Sequence, residues 1–562
     1  MNDFITNQAP LKYAQTYSLI PGQDAVFSAQ LKIGQLSGYV QDDISASPSL
    51  KFTVGLRVDK PIFPENPLEN PANSALVFQN IKGEPQSFST GKWPNPTALF
   101  SPRAGFRWDL HNDKSLIVRG GTGLFTGRIP YVYLTNIPTN SGMYQYSASV
   151  DNTTQGIDMS SFLFSPDPHA YNPNYNTGLP PNKFPTTAGT TPSADFVVAD
   201  PHYKFPQVWR TNLGVDKQLG KSWKLTAEVL YTKDINATYM YDANQKNPDT
   251  VVTTGSYTRG RYSSTAARRI NSVITGNAIV LASTSKGSSF VFTTQVEKTF
   301  AKGWYASLAY TYNFAQNLTE NPGSQASSVW SANVTGGTLN DLELAYSNYA
   351  VPHRLIGLVS YRFEYAKHLA TTLSLVYEGA SNGTYSYVYS GSVNNQGVNT
   401  ANLMYIPADA TNPSEIKFVD HTYNGQVVTA AQQTQMFESY INQDPYLKKH
   451  RGQLAERNGA KRPWYNRVDM KFVQDLFTNI SSHRNTLEFT ADIFNVANLL
   501  NNYWGARKIY TVNNPLTVSS VSGGIPSFYI TPYNGLPVTQ TFISQISTAN
   551  TWQMQLGLRY IF

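Results

Sequence analysis

Apolar and polar residues alternate with a period of two over segments of about ten residues, and turns rich in Gly, Asn, Ser and Pro separate the segments. Near the end of the chain Trp552, Met554, Leu556, Leu558, Tyr560 and Phe562 hold one set of positions. Gln553, Gln555, Gly557 and Arg559 hold the other. Leu50, Phe52, Val54, Leu56 and Val58 alternate with Lys51, Thr53, Gly55, Arg57 and Asp59. The same pattern runs from Trp223 to Thr232, from Trp304 to Asn313 and from Thr486 to Ile493. Side chains two apart share one face of a sheet. Each segment therefore predicts a strand with one apolar face and one polar, often charged, face. A soluble sandwich alternates in the same way, but two details favour a sheet that crosses a membrane. Aromatics recur near strand ends, as at Trp223/Tyr231, Trp304/Tyr312 and Trp552/Tyr560, where interfacial girdles fall. The connections also alternate between short and very long.

Strands are predicted at about 30–45, 50–60, 101–109, 115–126, 207–219, 221–233, 287–300, 303–316, 352–364, 368–380, 464–478, 484–497 and from about 549 to the end. Short turns join them in pairs, among them Ser45–Ser49, Leu110–Lys114, Ala301-Lys302-Gly303 and Asn479–His483. Long polar excursions fall near 61–99, 127–206, 234–286, 317–350, 381–463 and 498–549. The apolar stretch 272–284 would break this alternation as a spanning strand, so it is expected as local β-structure inside a loop. Short turns at one end and long loops at the other are the pattern of outer-membrane barrels, short at the periplasm and long outside. Structureless loops of this length are unusual in a compact soluble domain. The expected fold is all-β, an antiparallel transmembrane β-barrel of about thirteen spanning strands. Residues 1–26 read as an outer loop or linker, and 27–562 as the C-terminal portion of the barrel. The last strand ends at the periplasm, so the first descends from outside. Bacterial barrels have an even strand number and both ends at the periplasm. An odd count implies missing leading strands, and a sheet with two open edges that this chain alone is not expected to close.

Composition sharpens this picture. Of the 562 residues 14 % are charged, against about 25 % in an ordinary soluble domain. Aromatics reach 13 %, with 36 Tyr, which excludes a disordered chain. The chain has no Cys, which excludes a disulfide scaffold and Cys-based metal sites. No apolar run reaches the ~18 residues of a membrane helix, and the mean hydropathy is -0.34. The net charge of +7 is a weak bias. The densest basic stretch, Lys448, Lys449, His450 and Arg451 followed by Arg457, Lys461 and Arg462, is interrupted by Glu456. No nucleic-acid partner is expected from it. The start, Met1 to Asn7, has none of the features of a secretory signal, and reads as a mature chain or one that begins mid-protein.

Candidate chemistry is sparse. Asp42-Asp43 is a carboxylate pair, but a metal site needs several converging oxygens. The eight His are scattered without metal-ligand spacing. Gly120-Gly121-Thr122-Gly123 lacks the Gly-Lys-Ser/Thr and helix of a phosphate loop, and reads as glycines easing close backbone approach. No catalytic, metal or cofactor residue is predicted, and no enzyme activity. Thr429 to Ile441 is the best helix: Thr429 can cap it, and Phe437, Tyr440 and Ile441 fall at helical spacing. One apolar face predicts that it packs and folds a long loop down. Substrate contacts are expected from loop aromatics, with Trp330, Tyr385, Tyr387 and Tyr389 as candidates, although such rings also simply order long loops.

Several stretches resemble the barrel of TonB-dependent outer-membrane receptors, and most closely the large Oar-like type, related to SusC-like transporters, with a carboxypeptidase-regulatory-like domain ahead of the plug. They are Leu36–Asp43, Phe52–Asp59, Phe100–Phe106, Val118–Gly127, Val351–Leu355, Arg462–Asp469 and Asp492–Asn501. The final Leu558-Arg559-Tyr560-Ile561-Phe562 resembles the aromatic C-terminal signal read by the barrel-assembly machinery, which makes Tyr560 and Phe562 its candidates. The resemblance covers nearly all the chain. It implies a plug, a TonB box and a barrel of about 22 strands, and neither plug nor box is visible here. It implies location in the bacterial outer membrane, and uptake of a bulky nutrient (glycan, peptide or chelate) coupled to the TonB system through the missing plug. The implied partners are outer-membrane lipid, the barrel-assembly machinery and a SusD-like lipoprotein. A surface interaction or adhesion protein, with the barrel as anchor, is the alternative.

Overall fold

The computed structural model describes residues 7–299, 303–480 and 483–562. Met1 to Thr6 and parts of two expected turns, Ala301-Lys302 and Ser481-Ser482, lie outside the described residues. Thirteen strands follow one another across a single antiparallel sheet in chain order. They are β1 (Gly34–Ser45), β2 (Leu50–Ile62), β3 (Leu99–Asp109), β4 (Leu116–Thr126), β5 (Gln207–Leu219), β6 (Trp223–Asp242) and β7 (Gly287–Thr299). Then come β8 (Trp304–Asn317), β9 (His353–Tyr365), β10 (Leu369–Ser381), β11 (Trp464–Ile480), β12 (His483–Phe494) and β13 (Gln553–Ile561). Among the described residues, the outer edges of β1 and β13 pair with no strand.

Two strand ends depart from the pattern reading. β6 runs nine residues past the expected stop at 233, to Asp242. Its extension pairs with the strand Ala278–Thr284, which also pairs in parallel with Phe196–Ala199. The stretch 272–284 is thus local β-structure outside the thirteen-strand path. β12 stops at Phe494 instead of 497, because Asn495 turns left-handed with φ 55°. Its side-chain Nδ2 donates to the carbonyls of Gly505 and Asn550, which ties the chain into the following loop.

The register keeps like faces together. One face carries Trp223, Leu225, Ala227, Val229 and Tyr231 of β6 opposite Lys298, Val296, Thr294, Phe292 and Phe290 of β7. Its large apolar residues stay exposed: Leu308 is 53 % exposed, Leu556 62 % and Leu558 72 %. A continuous apolar surface of this kind marks contact with lipid or a partner. Aromatics band it at both ends. Trp304 stacks on Tyr361 at 4.3 Å, and Tyr361, Phe363 and Tyr365 continue the short-turn band. Trp304 and Tyr312 lie eight residues apart, about 26 Å along a strand.

The other face holds the ion pairs of the sheet. Arg57 bonds Asp59, and Arg119 bridges Asp216 and Glu228 at 3.1 and 2.7 Å. Arg354 bonds Glu378, Arg362 bonds Asp475, and Arg467 bonds Asp469. Lys471 bonds Asp492, and Arg559 lies 3.5 Å from Glu488.

The four buried apolar clusters all lie at the long-loop end. One gathers Tyr385–Tyr389, Phe437–Leu447 and Leu516–Val538. A second packs Tyr133, Leu134 and Ile137 of helix α1 (Tyr131–Thr139) against Trp330 of helix α2 (Ala326–Ser331). The third centres on Tyr239, Tyr241 and Val280. The fourth joins Tyr17 and Val150 of the paired strands Lys12–Ser18 and Gln145–Asp151.

The absence of native cysteine makes the face assignment directly testable. In membranes, Gln295→Cys on the polar face is expected to react with a water-soluble thiol reagent, and Val296→Cys on the apolar face to stay unlabelled. Equal labelling of both would overturn the assignment.

Candidate functional site

The loop 382–463 folds back over the long-loop ends of β8 and β9 and forms a half-open cleft of about 650 Å³ against the apolar face there, where Tyr312 and His353 lie opposite each other. Helix α3 (Ala430–Gln443) drives this fold. Thr429 caps it through a reciprocal pair with Gln432, and Phe437, Tyr440 and Ile441 are buried. Asp444 then caps the short helix α4 (Pro445–Lys449), accepting from the backbone N–H of Tyr446 at 2.9 Å and of Leu447 at 2.8 Å. Its other oxygen accepts from the Tyr387 hydroxyl at 2.7 Å, and Tyr385 donates to Tyr387 at 3.0 Å.

Aromatic and charged groups line the cavity side by side. Tyr446 stacks on His450 at 4.1 Å, and its hydroxyl accepts from the Glu456 N–H at 2.8 Å. Burial pushes the Tyr446 hydroxyl up to about 12. Lys449, Glu456 and Lys461 stand exposed at the rim. From the sheet come Tyr312, Phe314 and His353, whose Nδ1 lies 2.8 Å from the Tyr310 hydroxyl. This arrangement can stack on a ligand ring and pair with both signs of charge. Among the described residues no group of His, Asp and Glu is placed to hold a metal ion.

The loop aromatics expected to meet substrate are placed otherwise. Trp330 is 1 % exposed, Tyr385 4 %, and Tyr387 and Tyr389 0 %. Trp330 donates to Asn340 at 2.9 Å and lies under the Arg268 guanidinium. Tyr389 stacks on Phe528 at 4.9 Å. All four rings are therefore core, and only Tyr385 borders the cavity. Burial raises the Tyr385 and Tyr387 hydroxyls far above the ordinary phenol value. The cavity residues Tyr446, His450 and Phe542 carried no sequence signal of their own, since their meeting depends on loops far apart in the chain.

The basic stretch is dispersed in the same way. Arg451 pairs with Glu438, Arg457 donates to the carbonyls of Asn317 and Leu318, and Arg462 covers the Tyr510 ring at 5.1 Å. Gly379-Ala380-Ser381-Asn382-Gly383 carries the letters of a nucleophile elbow. Ser381, however, is buried at the end of β10 opposite Trp464, and no helix follows it. Tyr560 and Phe562 lie on the apolar face at the short-turn end. Their rings are 5.9 Å apart, and the Tyr560 hydroxyl donates to Asn485 at 2.6 Å.

A buried ion pair anchors the loop layer. Asp242, at the tip of β6, accepts from Arg268 at 2.9 Å and from the N–H groups of Asn244 and Ala278. Burial pushes its carboxyl up to about 6, although all three partners pull it down.

The sequence matches the family model described as outer membrane beta barrel domain over residues 13–527. A comparison with curated proteins finds no match. Among solved structures, the chain is similar to a point mutant of the ferric enterobactin receptor of Pseudomonas aeruginosa, with 9 % identity over 96 % of this chain and 47 % of that one, at a TM-score of 0.39. The copper transporter OprC gives 7 % identity over 83 % and 42 %, at 0.34. The outer membrane transporter YddB of Escherichia coli gives 10 % over 94 % and 54 %, at 0.38. The chain thus spans about half the length of these proteins.

Two outcomes follow from the loop layer. Asp444→Ala removes a helix cap worth about 1 kcal/mol and strands the buried Tyr387 hydroxyl at about 1–3 kcal/mol. Trypsin is expected to cut at Lys448 and Lys449 faster, with the strand signal in circular dichroism unchanged. The folded loop layer also holds a proton on Asp242 more tightly than the unfolded chain does. Stability from this group is therefore full below 3.8 and falls as pH rises to about 6. Asp242→Asn should flatten that part of the pH profile of loop proteolysis.

Proposed function

The chain belongs to the outer membrane beta barrel domain family, and on that premise we propose that it forms the wall and outer loops of a TonB-dependent receptor of the Oar-like type. The family and the all-β sheet place it in the bacterial outer membrane; the exposed apolar face supports contact with lipid, and the alternation of short and long connections supports long loops on the outer side. The reading of function goes further. The loops capture a bulky nutrient (a glycan, peptide or chelate), and a plug, carried outside this chain, couples release to the TonB system. A SusD-like lipoprotein is a candidate partner on the outer side. No covalent chemistry is needed: recognition, admission and release are binding events.

One observation carries the reading. The apolar clusters that order the chain lie in the long-loop layer, and that layer forms an aromatic and charged cleft against the sheet. A barrel serving only as an anchor has no need of such a cleft in its loop layer. The C-terminal strand supports a second assignment. Tyr560 and Phe562, exposed on the apolar face, serve as the signal for the barrel-assembly machinery.

The test compares cells lacking this protein with cells lacking TonB, each grown on single glycans, peptides or metal chelates. A shared growth loss on one nutrient class is expected. Normal growth on all of them, with loss of surface attachment, would favour the adhesion reading instead. Phe562→Ala is expected to lower the outer-membrane level of the protein several-fold without changing its synthesis. An unchanged level would remove the assembly role.

A further inference from the structure

Many acids of the polar face are held by a cation. Glu228 bonds Arg119, Glu378 bonds Arg354, Asp475 bonds Arg362 and Asp492 bonds Lys471. Asp234 stands on the same face of β6 as Glu228, nearer the long-loop end, and is partly buried. Among the described residues its carboxylate has neither an ion pair nor a hydrogen bond. Lys233, its chain neighbour, belongs to the opposite face, and its Nζ donates to the Gly287 carbonyl at 3.2 Å. An ionised carboxylate drawn out of water without a partner is costly.

The carboxylate lies across Gly287, the first residue of β7. That glycine has φ 126°, and a Cβ there would collide with Asp234 Oδ2. Gly287 pairs with Asn317 of β8, so Asp234 leans from β6 toward the long-loop end of β8. A cavity of about 300 Å³ opens between these strands, bordered by Asp234, Asn236 and Asn317 and by Tyr133 of α1. Val208, Ala237 and Leu318 give it apolar walls. The hydroxyls around it are already engaged. Tyr133 donates to the carbonyls of Asn321 and Gly323, the Thr238 hydroxyl lies 2.8 Å from that of Tyr203, and Thr319 donates to Asn333. Asn236 turns its Nδ2 to Gln207 Oε1 at 3.5 Å, which leaves its own oxygen as an acceptor. An incoming solute therefore meets one free carboxylate, one amide oxygen and the Tyr133 ring among apolar walls.

We propose that this cavity binds the cationic head of a small organic amine, with Asp234 paired to the ammonium and the apolar walls around its hydrocarbon body. Asp234 and Asn236 share a face with Cα atoms about 7 Å apart. One ammonium, with three donors, can bridge their two oxygens. The volume is at the small end of ligand sites, about 300 Å³, which suits a compact solute. The proposal deepens the uptake reading, since it names a cationic substrate class. It rests on that reading for the long-loop end of the polar face being open to solutes.

Three probes share one hydrocarbon body and differ in head charge: phenethylamine, phenethyl alcohol and phenylacetate. Calorimetric titration of the protein, purified from outer membranes in a neutral detergent, is expected to show binding of the amine. The alcohol should bind at least tenfold more weakly and the acid not at all. Added salt should weaken the amine. Asp234→Asn keeps the side-chain shape and removes its charge. It should lower amine affinity at least tenfold and leave that of the alcohol unchanged. Glu378→Gln, at a carboxylate already paired with Arg354, should change neither. Should Asp234→Asn not fold, the three probes on the unaltered protein still decide. Equal binding of amine and alcohol overturns the proposal. Unchanged amine affinity in folded Asp234→Asn, or equal loss in Glu378→Gln, overturns it as well. Binding in micelles needs no transport, so a failed growth test leaves this result standing. A failed titration removes the amine site and leaves uptake of a neutral or anionic nutrient open.

Discussion

Hydrocarbon offers no partner to a backbone N–H or C=O, so strands that cross it must satisfy one another. The rest of the structure follows from that constraint. Thirteen strands form one unbroken antiparallel ladder, and a period of two along each strand then sorts every side chain to one of two faces. The register shifts only where β5 begins, between Gln207 and Val208 at the long-loop end, so along the rest of the described ladder the faces do not mix. Ion pairs therefore join side chains two residues apart, or one or two strands apart, on a single face, as Lys471 meets Asp492, Arg354 meets Glu378 and Arg362 meets Asp475.

A sheet whose apolar face meets lipid gains no buried core of its own. The hydrophobic clusters stand instead at the long-loop end, where water is the solvent and burial is favourable. The loops behave as a water-soluble layer built on the rim of a membrane wall. β6 is the physical link between the two. Its first half belongs to the ladder, and its last residues, Tyr239 to Asp242, are buried among loop strands and end on the Arg268 ion pair. Recognition chemistry can vary in that layer without disturbing the wall, because the two are stabilised by different solvents.

Most of the wall was legible in the chain. Alternation and turn chemistry located the thirteen strands within a few residues, because lipid and lumen impose opposite demands on neighbouring positions. The capped helix at Ala430–Gln443 was legible for a local reason, since Thr429 and Gln432 lie within one turn. The far end of β6 was not, because Tyr239, Met240 and Tyr241 are buried on both faces and lose the period that marks a strand. The loop aromatics misled for a related reason. Tyr387 looks like a ligand platform in a polar stretch, yet Asp444 and Tyr446 reach it from 57 and 59 positions away and enclose it. Whether a loop ring is core or surface depends on such distant meetings, which no periodicity reports.

The polar wall shows the converse. Its ion pairs are local in the register, so a cation's isolation is also readable once the register is known. On β9–β13 charge is balanced residue by residue, as a wall that must only stay wet and rigid would be. On β2–β4 the glycines at positions 55, 105, 121 and 123 give up side-chain packing and strand propensity, which in a strand interior is a net cost. Close backbone approach accounts for three of them: a Cβ at Gly55, Gly121 or Gly123 would stand 3.1, 3.3 or 2.9 Å from the carbonyl oxygen of Val40, Ala104 or Pro102. Gly55 and Gly123 also flank Arg103, whose side chain lies along the sheet against them.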